Sequence, residues 1–172
     1  YPYLSNINQR FIGNLSPTSG NNWKEFMPPD SLLGFRNGKN IAALHYGKYI
    51  YMTNSQGFIS IGEKDFYVTN RKTLNTFRII VVGGSTVMGQ GSFTPSENLP
   101  AQIYSLLKLK DNKKTRFEVI NAGVGGYTSG QELLYIMSEI VSYDPDLIIV
   151  YDGWNDQSYN NILIGLYGEN MN

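Results

Sequence analysis

The segment FRIIVVGGSTVMGQG, residues 77–91, contains the first candidate for a catalytic side chain. Its apolar run is continuous and β-branched, which predicts a strand buried on both faces. Two glycines end the run, and Ser85 follows them at once. A serine in such a turn has an exposed hydroxyl, and its N–H lies at the amino end of the next helix, where negative charge is stabilised. Ser85 is therefore a candidate nucleophile.

Two later strands end in comparable segments. The predicted strand FEVINAG, residues 117–123, is followed by VGGYT, and the predicted strand DLIIVYDG, residues 146–153, is followed by WND. Paired glycines can leave backbone N–H groups free, and an asparagine amide offers two further N–H donors. The N–H groups of Ser85 and Gly126 and the amide of Asn155 would together form an oxyanion hole for acyl transfer.

The elements that must position these residues follow the order β-α-β-α-β. Residues 98–110 and 129–143 carry apolar side chains at helical spacing. In the second helix we expect one buried apolar face, formed by Leu133, Met137, Ile140 and Val141. Connections of this length suit parallel strands, and ligands bind beyond the carboxyl ends of such strands. With the first strand central, the order is second-first-third, and the third strand lies at an open edge.

The chain divides near residue 75. Residues 1–30, rich in Asn, Ser, Pro and Gly, predict an irregular arm, and residues 32–69 predict short antiparallel strands with a turn at Asn37–Gly38. We therefore expect an N-terminal arm with a β-rich appendage over residues 1–75. An α/β domain over residues 76–172 would carry the candidate site.

Composition narrows the classes of partner. The formal net charge is zero, which argues against nucleic acid and against a polybasic membrane surface. The absence of cysteine excludes disulfides and thiolate metal sites, and no apolar run is long enough for a transmembrane span. Neither a cofactor nor a metal ion is expected. The 13 tyrosines suit a surface that meets neutral polar ligands such as sugars.

Each glycine-rich segment also has a simpler interpretation. Ser85 or Thr86 would act as a plain helix N-cap. Gly123–Gly126 would cradle a phosphate, although the segment lacks the G-x-G-x-x-G spacing and a P-loop lysine. Asn155–Asp156 would form an Asx turn. Three such segments in this order favour one shared site over three unrelated turns.

In this order, GGST, NAGVGGYT and GWND resemble the first three motif blocks of the SGNH hydrolases, also called the GDSL esterase/lipase superfamily. The resemblance covers residues 77–157 and implies Ser85 as nucleophile, with Gly126 and Asn155 in the oxyanion hole. It also implies a flavodoxin-like three-layer α/β/α sandwich, of which this chain carries the first three strands. Gly84 stands where the family usually has Asp, as in a GGST-type subgroup linked to surface polysaccharides.

Four further residues are assigned around this site. Asp156 and Thr86 are expected to support it without contacting the reacting atoms. Tyr127 and Trp154 are candidates for lining the acyl or sugar pocket, although Trp154 would equally pack under its loop.

The family's fourth block, D-x-x-H, supplies the general base and its orienting carboxylate. The sequence contains no D-x-x-H, and its single histidine, His45, lies upstream in a β-like segment where we expect a structural or surface-exposed residue and not the base. We therefore expect the base to lie outside this chain, which would be the N-terminal part of a longer enzyme and nearly inactive alone. The isolated chain is expected to aggregate, or to need the rest of its polypeptide or a surface assembly as partner.

The expected activity is that of a serine ester hydrolase. Its substrates would be small esters or the acyl, in particular acetyl, esters of a carbohydrate or cell-surface polymer. An extracellular, periplasmic or cell-surface location is favoured. Two alternatives stay open: a polysaccharide O-acyltransferase, and a non-catalytic surface or carbohydrate-binding module with the same fold.

Overall fold

The computed structural model describes residues 16–17, 23–45, 48–62, 68–110 and 115–158. Within these ranges the strands are β1 (Ser16–Pro17), β2 (Pro29–Asp30), β3 (Gly34–Phe35), β4 (Ala42–His45), β5 (Lys48–Met52), β6 (Thr76–Gly83), β7 (Arg116–Gly123) and β8 (Leu147–Tyr151). The α-helices are α1 (Trp23–Phe26), α2 (Ser85–Met88), α3 (Leu99–Lys108) and α4 (Ser129–Ser138), with 3₁₀ helices at Pro95–Glu97 and Ile140–Tyr143. Residues 154–158 are also helical.

Strands β6, β7 and β8 form a parallel sheet in the order β7-β6-β8. Pairing runs from Thr76 opposite Arg116 to Gly83 opposite Gly123, and Gly83 also stands opposite Tyr151 on its other side. The predicted α/β class, the parallel pairing and the order with the first strand in the centre are confirmed.

The central strand β6 separates two apolar cores. Ile80 and Val82 enter the core covered by α4 and by residues of the N-terminal half. Ile79 and Val81 enter the core on the opposite face, which α3 covers. Side chains alternate between the faces of a strand, so a continuous apolar run supplies both cores at once.

Helix α4 buries a different face from the one that its sequence predicts. The prediction is wrong at three positions, all of which are exposed: Leu133, Met137 and Val141. Within α4 the buried residues are Glu132 and Tyr135 instead, while Ile140, in the following 3₁₀ helix, is buried as predicted. Because the segment is apolar around most of its circumference, spacing alone does not select a face. The change to a 3₁₀ helix after Glu139 also rotates the later residues away from α-helical positions.

The N-terminal half contains the predicted short antiparallel strands. Strand β4 pairs with β1 and β5, and β2 pairs with β3, all antiparallel. The turn between β2 and β3 spans residues 31–33, where the Asp30 carboxylate accepts hydrogen bonds from Leu32 N and Leu33 N at 3.0 and 2.8 Å. Most of the predicted arm over residues 1–30 lies outside the described residues.

The predicted turn at Asn37–Gly38 is wrong. Asn37 is buried, and its amide donates to Gly57 O at 3.2 Å and to Gly123 O at 2.8 Å. Ile59 N donates to Asn121 O at 2.9 Å nearby. These long-range hydrogen bonds override the local turn signal, and they attach Asn37 and Ile59 to the carboxyl end of β7.

Strand β8 lies at the edge of the parallel sheet. Among the described residues it pairs with β6 alone. Three of its side chains are exposed: Leu147, Val150 and Tyr151. The open edge that the strand order predicts is therefore present.

Candidate active site

The carboxyl ends of the three parallel strands are level with one another, because Gly83 stands opposite both Gly123 and Tyr151. A methyl group on Gly83 would lie 2.4 Å from Tyr151 O, and one on Gly123 would lie 2.3 Å from Met88 N. Both contacts are far shorter than non-bonded atoms allow. The two glycines therefore let α2 rest directly on the strand ends, which fixes Ser85 at this edge.

Ser85 is the first residue of α2 and is half-buried. The N-cap of α2 is Gly84, and no side chain caps the helix, so the interpretation of Ser85 or Thr86 as the cap is wrong. The Ser85 carbonyl accepts hydrogen bonds from Gly89 N at 3.1 Å and Gln90 N at 2.9 Å. Within the described part of the chain, neither the N–H nor the hydroxyl of Ser85 has a hydrogen-bond partner.

The Asn155 amide lies between the first two segments. Its Nδ2 donates to Tyr127 O at 2.7 Å. A methyl group on Gly84 would lie 2.8 Å from the same Nδ2. The structure thus brings Asn155 next to the residues that adjoin Ser85 and Gly126. Since an amide nitrogen carries two hydrogens, one N–H remains for a ligand.

Gly126 has φ of +84°, in the left-handed region that glycine adopts most readily. Tyr127 N donates to Val124 O at 3.2 Å, which closes the turn around Gly126. The Gly126 N–H has no hydrogen-bond partner among the described residues. The N–H groups of Ser85, Gly126 and Asn155 are therefore available at one edge of the sheet.

Asp156 joins the third segment to helix α4. Its carboxylate accepts hydrogen bonds from Ser129 Oγ at 2.6 Å and from Ser129 N at 3.1 Å. The Ser129 hydroxyl, followed by the Ser129 N–H, lowers the pKa of Asp156. A carboxylate at the amino end of a helix is also stabilised by the helix dipole. Asp156 therefore ties the short helix that carries Asn155 to the amino end of α4.

Glu132 is a buried acid that sequence reasoning missed. Its side chain lies on the inner face of α4, the residue is 1% exposed, and neither carboxyl oxygen has a hydrogen-bond partner among the described residues. Burial, with smaller contributions from the charges of Asp152 and Asp156, raises its pKa to about 8. No sequence signal marked it, because a single Glu in a helix is normally a surface residue.

The aromatic residues of the site differ in exposure. Tyr127, a candidate for lining the substrate pocket, is fully buried, and its hydroxyl donates to Phe35 O at 2.5 Å. Trp154 is 73% exposed, so it does not pack under its loop. Phe35, which sequence reasoning also missed, is half-buried beside Gly126. It comes from a two-residue strand, which is too short for any periodic signal.

The remaining predictions concern His45, Thr86 and metal ions. His45 ends β4 opposite Lys48, and its side chain is outside the described part of the chain. Thr86 is exposed, one residue after Ser85. No cluster of three or more His, Cys, Asp and Glu side chains suited to a metal ion occurs within the described ranges.

No protein-family model matches the chain, and no curated protein is significantly similar to it. In the described part of the chain, no helix has both the length and the apolar character needed to cross a bilayer. The chemistry of the site therefore follows from its own geometry: one serine hydroxyl and three N–H donors at the carboxyl edge of a parallel sheet.

Proposed function

We propose that this chain carries the nucleophile and the oxyanion hole of an SGNH-type serine ester hydrolase. The observation that carries the proposal is the position of Asn155 Nδ2, bonded to Tyr127 O at 2.7 Å and packed against Gly84. That contact brings the Asn155 donor next to Gly84 and Tyr127, the residues that adjoin the proposed donors Ser85 and Gly126. An isolated turn or a helix cap would not need them together.

In the proposed reaction, Ser85 Oγ attacks the carbonyl carbon of an ester and gives its proton to a general base. The carbonyl oxygen becomes an oxyanion that accepts hydrogen bonds from the N–H groups of Ser85, Gly126 and Asn155. Collapse of the tetrahedral intermediate breaks the bond to the alcohol, which leaves with a proton. Water then attacks the acyl-serine and releases the acid. Because the sequence lacks D-x-x-H, we assign the base to a group outside it.

We assign the substrate to the acyl, in particular acetyl, esters of a carbohydrate or surface polymer. An exposed tryptophan adjoins the proposed oxyanion donor Asn155, and flat aromatic faces suit the apolar faces of sugar rings. The finer architecture that we propose is a flavodoxin-like three-layer sandwich, in which further strands continue the sheet beyond β8. The exposed apolar side chains of β8 support that extension.

The test uses a fluorophosphonate probe on the protein made from its complete reading frame. We expect covalent labelling at Ser85 and its loss in Ser85→Ala. Ser138→Ala is the matched control, since this exposed serine donates to Leu134 O on the outside of α4 and should not affect labelling. Undiminished labelling of Ser85→Ala would overturn the proposal.

A non-catalytic carbohydrate-binding module with the same fold is the second candidate, and the exposed Trp154 suits it equally. The two functions differ in one measurement. The module would bind an acetylated polysaccharide equally well with and without Ser85→Ala, and it would release no acetate.

A further inference from the structure

Phe35 reaches the candidate site from the N-terminal half of the chain. Its carbonyl accepts the Tyr127 hydroxyl at 2.5 Å. Its ring packs edge-on against the Tyr127 ring, with centroids 5.3 Å apart. A methyl group on Gly126 would lie 3.7 Å from Phe35 Cζ. The ring thus borders the space on the Cβ side of Gly126, beside the backbone that offers the Gly126 N–H.

The strand that carries Phe35 is attached to α4 by polar contacts. Arg36 forms ion pairs with Asp30 at 2.7 Å and with Glu139 at 2.9 Å. Gln131 Nε2 donates to Leu33 O at 2.8 Å. The residues on both sides of Phe35 are therefore held against the helix, which fixes the position of the ring relative to Gly126.

The surroundings of the neighbouring glycine are also apolar. A methyl group on Gly125 would lie 3.2 Å from Met88 Sδ and 4.0 Å from Met27 Cε. The side chains that flank the glycine turn are thus a phenylalanine and two methionines. These apolar side chains favour contact with an alkyl group and provide no charged partner for a polar group.

We propose that Phe35 is a specificity-determining residue that limits the acyl group to a short chain such as acetyl. This inference rests on the proposed function. An oxyanion bound to the Gly126 N–H lies about 2.9 Å from that nitrogen. The space beside that N–H is bounded by the Phe35 ring, whose Cζ would lie 3.7 Å from a methyl group on Gly126. An acetyl methyl fits in that space, whereas a longer chain passing over Gly126 meets the ring.

The experiment measures kcat/KM for p-nitrophenyl acetate, butyrate and octanoate with the protein made from its complete reading frame. The wild type should prefer acetate. Phe35→Ala should raise the octanoate-to-acetate ratio by about tenfold or more, since one or a few methylenes in an apolar pocket are worth that much. Phe35→Leu keeps an apolar side chain for folding and should raise the ratio less.

Phe77→Ala is the matched control. Phe77 is also a partly exposed phenylalanine of this protein, but it lies near the opposite, amino end of β6 and packs on Phe117. Its loss should leave the chain-length ratio unchanged. If Phe35→Ala fails to fold, Phe35→Leu alone carries the comparison.

The outcomes separate this inference from the proposed function. Ser85-dependent turnover with the same chain-length ratio in both Phe35 variants would overturn the inference alone. A kcat/KM that varies with the alcohol in a series of acetate esters, but does not vary with the length of the acyl chain, would also overturn it. Turnover of every ester that persists in Ser85→Ala, or no turnover at all, would overturn the inference and the proposed function together.

Discussion

At the scale of the residue, the Asn155 amide occupies the space where a side chain at position 84 would begin. A methyl group on Gly84 would lie 2.8 Å from Asn155 Nδ2, closer than non-bonded atoms approach. The φ of Gly84 is −79°, outside the left-handed region, so the backbone conformation does not require a glycine here. The close contact with Asn155 does require one. The glycine therefore leaves room for the amide that binds Tyr127 O. This explains the need for glycine at position 84.

Gly84→Ala should displace the Asn155 amide and keep the fold, because the atom that must move is the end of a side chain. In the protein made from its complete reading frame, we expect kcat for p-nitrophenyl acetate to fall by about 10²-fold, the loss typical of removing one oxyanion-hole donor, with KM little changed. Gly130→Ala is the control, since its nearest neighbour, Thr128 Oγ1, is 4.0 Å away. An unchanged kcat in Gly84→Ala, or a loss matched by Gly130→Ala, would contradict this placement.

At the scale of the element, α2 owes its position to the strands beneath it. A helix of four residues has no stability of its own. It is held by Asn121 Nδ2, which donates to Val87 O at 3.0 Å, and by the close approach of its backbone to Gly123. The position of α2, and with it that of Ser85, therefore depends on its contact with β7.

Gly123→Ala should destabilise the protein. The added methyl would lie 2.3 Å from Met88 N and 2.7 Å from Val87 C, and both are backbone atoms that cannot rotate away. Overpacking of this kind lowers the free energy of unfolding by about 1–3 kcal/mol. Here α2 must also move away from β7. Urea unfolding followed by circular dichroism measures the loss. Gly130→Ala, within helix α4, should be neutral or slightly stabilising; equal midpoints for the two variants would refute the argument.

The elements of the α/β half could be predicted because each carries a strong local signal. Strand β6 is a β-branched run bounded by glycines, and α3 has the spacing of an amphipathic helix. The buried face of α4 could not be predicted, since both Leu133 and Tyr135 are large and apolar and only packing decides between them. Arg78 is a further case: it lies buried inside the apolar run of β6, where it donates to Glu118 at 2.6 Å.

At the scale of the whole molecule, the N-terminal half contributes to the site. Asn37 binds the carbonyl of Gly123, and Phe35 lies beside Gly126. Sequence reasoning placed the polar and glycine residues at the strand ends because strand order alone brings those ends together. It could not place Phe35 or Asn37. Their contacts cross long stretches of chain and come from segments too short to show a period.

Glu132 couples the stability of the whole molecule to pH. Burial of its carboxyl group raises the pKa from the ordinary 4.5 to about 8, with the charges of Asp152 and Asp156 acting in the same direction. In the folded protein the group therefore keeps its proton at neutral pH, while in the unfolded chain it loses it. Between these two pKa values the folded state binds more protons, so stability falls as pH rises.

Replacing Glu132 by glutamine tests this linkage. The free energy of unfolding of the wild type should fall by up to about 1.4 kcal/mol per pH unit between pH 5 and 8, in addition to any slope from other groups. Glu132→Gln cannot ionise, so it should lack this component: similar to the wild type near pH 4.5 and more stable at pH 9. Urea unfolding at each pH gives the two curves, and Glu25→Gln, at an exposed position in α1, should reproduce the wild-type slope. If the difference between wild type and Glu132→Gln stayed constant from pH 4.5 to 9, the pKa of the carboxyl group would be the same in the folded and unfolded states, which would contradict the linkage.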